Sequence, residues 1–211
     1  MNTLCLLCGS TNTVTLTLDK VYHHCENCDF IFMNPSHLIG EVEEKTRYLQ
    51  HNNTMNNTGY VNMFHDFITN ALEPKFAASE KILDFGCGPN PVFAQIMKDQ
   101  GKKVDVYDPF FFPNKVYQEK KYDIITLTEV LEHIQRPLST LRPLITRLSA
   151  DALLAIMTRI HPGADAFEKW WYRMDNTHIS FYSLKTAKAL AKSLDMRMVK
   201  TDGERFFCLQ P

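Results

Sequence analysis

At 211 residues, with 45% hydrophobic and 22% charged positions, the chain has the composition of an ordinary soluble globular protein and room for one good core or a main domain with a small appendage. A formal net charge of −1 and a pI near 6.7 disfavour a dedicated nucleic-acid domain, which carries a clear basic excess. The longest apolar runs, such as ALLAIM, are far too short to span a bilayer, and MNTLCLLCGS lacks the basic flank of a secretory signal, so a cytoplasmic location with no membrane partner is expected.

The first element is built on cysteine. Cys5-x2-Cys8 and Cys25-x2-Cys28 are two pairs separated by 16 residues, the spacing of a four-thiolate zinc site. TNTVTLTLDKVYHH between them reads as a strand ribbon. A redox dithiol needs only one pair, and a catalytic zinc leaves a ligand position open, so a structural zinc is expected; disulfides would need an oxidising compartment. His23 and His24 flank Cys25 as bystanders, and DFIFMNP closes a zinc-ribbon module over residues 1–38. Cys208, in a terminal apolar run, reads as a small buried side chain.

Residues 39–80 read as a helical connector. EVEEKTRYLQ is acidic and NNTMNNT is a polar loop. Tyr60, Met63, Phe64, Phe67, Ile68, Ala71 and Leu72 then recur at helical spacing until Pro74, predicting a helix that packs the zinc module onto the main domain.

From residue 81 to 211 apolar strands alternate with helical stretches. KILDF, NPVFAQIMKDQG, KVDVYD, YDIITLT, LSTLRPLITRLS and ALLAIMT predict an α/β fold with a parallel sheet and crossover helices. SLKTAKALAKSL follows as a helix capped by Ser183, then MRMVKTD and ERFFCLQ as two strands around Gly203.

The most informative run is ILDFGCGPN, where a strand ends in an acid and two glycines one residue apart. Gly86 and Gly88 let bare backbone approach a nucleotide-like ligand. A nicotinamide fingerprint needs a third glycine where Pro91 stands, so hydride chemistry is disfavoured. Together ILDFGCG, VYDP and YDIITLTEVLEHI, in this order over residues 82–134, resemble class I S-adenosylmethionine-dependent methyltransferases. The resemblance implies a Rossmann-like sheet, here reduced, because only thirteen residues separate Asp108 from Tyr122 where a helix and a third strand usually fit. It also implies that Gly86, Cys87 and Gly88 approach the methionine part of the cofactor, with Asp84 behind the turn. Asp108 then takes the ribose hydroxyls, with turn formation before Pro109 as its alternative role. Asn90 stands where the family's third glycine lies and is expected to supply a left-handed turn between Pro89 and Pro91. The run from Phe110 to Phe112 covers the adenine, or else packs on the zinc module or a neighbouring subunit.

Glu129, at the end of the fourth strand, and Glu132 and His133 in the following turn lie at the rim where the sulfonium is expected, with a polar helix start as the alternative for Glu132 and His133. WWYRMDNTHISFYS resembles the segment after the fifth strand of small-molecule members, which brings His178 to the acceptor as base or hydrogen-bond partner. Tyr182, Asp175 and Trp170 or Trp171 shape that pocket. The catalytic candidates are therefore His178, His133, Glu129 and Tyr182, and a base is needed only if the acceptor carries a proton. The expected function is methyl transfer to a small molecule. The alternatives are an RNA base methyltransferase using Lys102, Lys103, Lys120, Lys121, Arg136 and Arg142, and a non-catalytic zinc-bearing interaction module.

Overall fold

The computed structural model describes residues 3–211. In chain order the elements are β1 (Thr13–Thr17), β2 (Val21–Cys25), β3 (Ile31–Met33), α1 (Glu41–Leu49), α2 (Thr58–Phe67), α3 (Lys75–Ala78), β4 (Lys81–Phe85), α4 (Val92–Asp99), β5 (Lys103–Tyr107) and β6 (Tyr122–Thr128). Then follow α5 (Pro137–Ile145), β7 (Leu148–Met157), α6 (Ala164–Phe167), β8 (Ser180–Phe181), α7 (Leu184–Ser193), β9 (Arg197–Thr201) and β10 (Phe206–Gln210). Ser183 caps α7 as expected, its Oγ accepting from the Thr186 N–H at 3.2 Å.

The main sheet runs β5-β4-β6-β7-β10-β9. β4 pairs in parallel with β5 and β6, and β6 with β7, whereas β10 runs antiparallel to both β7 and β9. β5 is an edge, because the segment between Asp108 and Tyr122 holds a single 3₁₀ turn, Val116–Glu119, and no strand. Thirteen residues are too few to turn back through a helix and lay down another parallel strand. The strand ends that carry the chemistry therefore gather at one edge of the sheet, beyond β4, β5 and β6.

The ribbon forms a second, antiparallel sheet in the order β1-β2-β3-β8. Its last strand comes from the C-terminal half, Ile31 and Phe32 pairing with Phe181 and Ser180. The Thr186 hydroxyl donates to the Cys28 carbonyl at 2.9 Å, and Phe30 packs on Tyr182 with ring centroids 5.2 Å apart. Cys5, Leu7, Phe30 and Phe32 thus share one apolar core with Leu83, Leu131 and Leu190 of the main sheet and its helices.

The helix expected from the aromatic stripe forms as α2 and continues as a π turn, Ile68–Leu72. It does not dock the ribbon, as the spacing led us to expect. Phe64 stacks on Phe93 of α4 at 4.6 Å and Phe67 meets Phe206 of β10 at 5.9 Å, so the stripe is spent on the opposite face of the main sheet. The ribbon is joined instead by β8 and α7.

Candidate functional site

β4 ends where Gly86 and Gly88 adopt φ of +82° and +67°. The N–H groups of Gly86 and Cys87 donate to the Tyr107 carbonyl at 2.7 and 3.1 Å, which binds the turn to the end of β5. A Cβ at Gly86 would overlap the Val130 side chain, whereas one at Gly88 meets nothing within 4 Å. The first glycine is therefore required by packing and the second by backbone conformation and open space. Asn90 does not adopt the left-handed conformation expected of it; its carbonyl accepts from the Val92 N–H at 2.7 Å, and the two glycines alone make the reversal.

Asp108 organises the two loops. One carboxylate oxygen accepts from the Gly88 N–H at 3.0 Å, and the other from the N–H groups of Phe110 and Phe111 at 2.9 and 3.1 Å. The turn-forming role weighed for this residue is thus realised; Oδ1 is filled by its two donors, and Oδ2 keeps one lone pair free. Asp84 is fully buried and held by the Thr126 hydroxyl at 3.0 Å. Burial pushes its carboxyl up to about 7.

These loops wall a cavity of about 600 Å³, the size of a typical cofactor or small-ligand site. Asp84, Gly86, Cys87, Gly88 and Asn90 line one end with Asp108, Pro109 and Phe110. Phe111 is not among the lining residues; Lys45 Nζ lies 5.5 Å from its ring centroid. Glu129, His133, Asp175 and His178 line the other end, along with Trp171. Tyr182 does not reach the cavity. It is fully buried, donating to the Leu131 carbonyl at 3.3 Å and packing on Phe30, because the short strand β8 turns it toward the ribbon core.

The second end is a buried acid and imidazole cluster. Glu129 leaves β6 with φ +54°, a conformation rare for a side-chain-bearing residue and one that concentrates at functional sites. The Tyr172 hydroxyl lies 3.1 Å from Glu129 Oε2 and hydrogen-bonds Glu132 Oε1. One phenolic proton serves two carboxyls, and burial holds both acids above the usual carboxylate range, with the charge of Glu132 adding to the effect on Glu129 and that of Asp175 to the effect on Glu132. Nδ1 of His133 donates to the Thr177 carbonyl at 2.9 Å, and Nδ1 of His178 to the Tyr172 carbonyl at 2.7 Å. Burial pushes both imidazoles down to about 4, so they are neutral at pH 7.

Three contributors escaped the sequence reading. Glu44, Tyr48 and His51, from α1 and the turn after it, line the cavity, with Tyr48 edge-on to His133 at 5.2 Å. Arg47 of the same helix binds Asp175 at 2.8 Å and holds α1 over the site. Arg159 lines the wall beside Trp171, its guanidinium 5.8 Å from the ring centroid. Only Tyr48 in a polar helix and His51 just after it hinted at the first group; the others depend on long-range folding.

At the ribbon, Cys5 Sγ and Cys28 Sγ lie 3.6 Å apart, as do Cys8 Sγ and Cys25 Sγ. Four thiolates at about 2.3 Å from one zinc stand roughly 3.8 Å from each other, so these residues fit a tetrahedral ion. The Cys8 N–H points to Cys5 Sγ at 3.5 Å, the kind of second contact that orients a ligand.

Among solved structures the chain is similar to the mitomycin 7-O-methyltransferase MmcR, with 13% identity, a TM-score of 0.51, and 80% of this chain matched to 66% of that one. It is also similar to TnmH, with 13% identity, a TM-score of 0.50, and 71% of this chain matched to 56% of that one. The chain thus spans just under two thirds of the first structure's length and less of the second, and the likeness concerns the fold. No curated protein matches the chain. A family model described as a methyltransferase domain matches residues 62–201, more than half of the sequence and all of β4 to β9, and by that match the chain belongs to the methyltransferase-domain family.

Proposed function

We propose that the protein is an S-adenosylmethionine-dependent methyltransferase acting on a small molecule, built as a zinc-ribbon module over residues 1–38, a helical connector over 39–80 and a catalytic domain over 81–211. The observation that carries this reading is the cavity at the ends of β4, β5 and β6, where a glycine turn, a buried acid and an acid at the end of the second strand converge. When bound, the cofactor supplies a methyl group already activated on a sulfonium. Gly86, Cys87, Gly88 and Asn90 form the wall for its methionine part, with Asp84 beneath. Asp108 Oδ2 retains a lone pair for a ribose hydroxyl, and Pro109 and Phe110 border the adenine.

The acceptor occupies the end lined by Glu129, His133, His178, Trp171 and Arg159. Glu129 is the group proposed to take a proton from it, with His178 beside the acceptor as a hydrogen-bond partner or as the base where no ion occupies its Nε2, and α1 with Tyr48 covers one side. A concave cavity of about 600 Å³ favours a small acceptor over an RNA strand. So do four of the six basic residues weighed for RNA, Arg136 and Arg142 being the other two: Lys103 and Lys120 are paired with Glu80 and Asp105, and Lys102 and Lys121 donate to backbone carbonyls. The four-cysteine site is proposed to hold zinc as a structural ion. No described helix is long and apolar enough to cross a membrane.

The test of the acceptor end is turnover across a panel of small hydroxylated and amine acceptors. His178→Ala should lower kcat at least about tenfold with product binding intact. Equal turnover would remove His178 from the reaction.

A further inference from the structure

His133 and His178 stand edge to face with ring centroids 4.9 Å apart, and Glu132 lies beside them. One ligand-type atom from each of the three falls within 4.8 Å of the others. The rings are already sorted for coordination. Each Nδ1 donates to a backbone carbonyl, which can only accept, so each Nε2 keeps its lone pair. Such a fixed tautomer, held by a backbone oxygen on the far side of the ring, is the usual support of a metal-binding histidine. Glu132 has no exposed surface; its Oε1 is bonded to Tyr172, and its Oε2 makes no hydrogen bond of good geometry, its polar neighbour being the equally unpartnered Thr158 hydroxyl. An unpartnered carboxylate oxygen in the interior is costly unless a proton or a cation meets it.

We infer that Glu132, His133 and His178 form a divalent-metal site at the acceptor end of the cavity, separate from the four-cysteine site. Two imidazoles, borderline donors, beside one hard carboxylate suit Mn²⁺, Fe²⁺, Co²⁺ or Zn²⁺ better than Ca²⁺ or Mg²⁺, whereas the thiolates select zinc. Ligand atoms around an ion at about 2.1 Å stand roughly 3 to 3.5 Å apart, so side-chain adjustment from the present separation closes the site. Three protein ligands leave coordination positions open, the pattern of a reactive rather than a structural centre. Both histidines line the cavity, so those positions face the space proposed for the acceptor. This part rests on the methyltransferase reading: the acceptor class it selects carries a hydroxyl beside a second oxygen, able to bind the ion through both.

The experiment uses the full chain with one equivalent of zinc on the cysteines, titrated with Mn²⁺ and read by electron paramagnetic resonance. One Mn²⁺ per chain is expected, with nitrogen couplings from two imidazoles, and with a dissociation constant raised at least about tenfold in both His178→Ala and Glu132→Gln. No bound Mn²⁺, no nitrogen coupling in the unaltered protein, or equal affinity in folded variants would overturn the site. The coupling is read on the unaltered chain, so it decides the matter even if a variant fails to fold. The demethylated cofactor product is titrated into the same sample. Product binding without Mn²⁺ binding removes the metal site alone; Mn²⁺ binding without product binding leaves the metal site and removes the methyltransferase reading.

Discussion

Asp84 is the residue whose burial has the clearest thermodynamic signature. Its carboxyl is raised from 3.8 to about 7 by desolvation, so the folded state binds a proton more tightly than the unfolded chain. The resulting stability is complete below pH 4 and is lost as pH rises through 7. Asp84→Asn keeps an acceptor for Thr126 and removes this titration. The variant should therefore gain stability relative to the unaltered protein between pH 4 and pH 8, by on the order of 2–4 kcal/mol, in denaturant melts at matched pH. A constant difference across that range would contradict the assignment. Gly86 makes the sharper steric prediction. Gly86→Ala drives a methyl group into Val130 and strains a positive φ, so it should cost about 2 kcal/mol or more and abolish product binding, while Gly88→Ala folds but binds weakly.

At the scale of elements, α1 is the part most open to test. Its approach to the cavity rests on Arg47–Asp175 and on Tyr48 against His133. Arg47→Ala should speed amide exchange over residues 41–50 and weaken product binding by roughly three- to tenfold; unchanged exchange would mean that other contacts hold the helix. What was legible beforehand follows the same division. Local periodicity placed the strands of the main sheet, and the short span from Asp108 to Tyr122 announced the missing strand. The spent face of α2 was not legible, because a stripe of aromatic residues says that a helix is buried and not against what. Tyr182 was misplaced for a similar reason: a two-residue strand pairing with Ile31 lies beyond any local signal, and it decides which way that ring points. Asp108, Gly86 and His178 were legible because a motif carries its own geometry. Tyr48 and Arg159 carry no such motif and enter the site only through the fold.

For the whole molecule, the shared core makes the ribbon part of the catalytic body. β3 pairs with β8, two residues beyond His178, and Cys28 is bonded to α7. Losing the thiolate site through Cys5→Ser and Cys28→Ser together should therefore lower Tm by roughly 10 °C or more and weaken product binding as well. A ribbon that unfolds alone, leaving Tm and binding unchanged, would contradict this coupling. The central claim is that the cavity beyond β4 and β5 binds S-adenosylmethionine. The direct measurement is a calorimetric titration of S-adenosylmethionine and of its demethylated product into the zinc-loaded protein, with Asp108→Ala alongside. The account predicts micromolar binding of both, weakened at least about tenfold in the variant, because Asp108 holds the Gly88 N–H and the Phe110 turn as well as the proposed ribose site. A folded, zinc-loaded sample that binds neither ligand would contradict it.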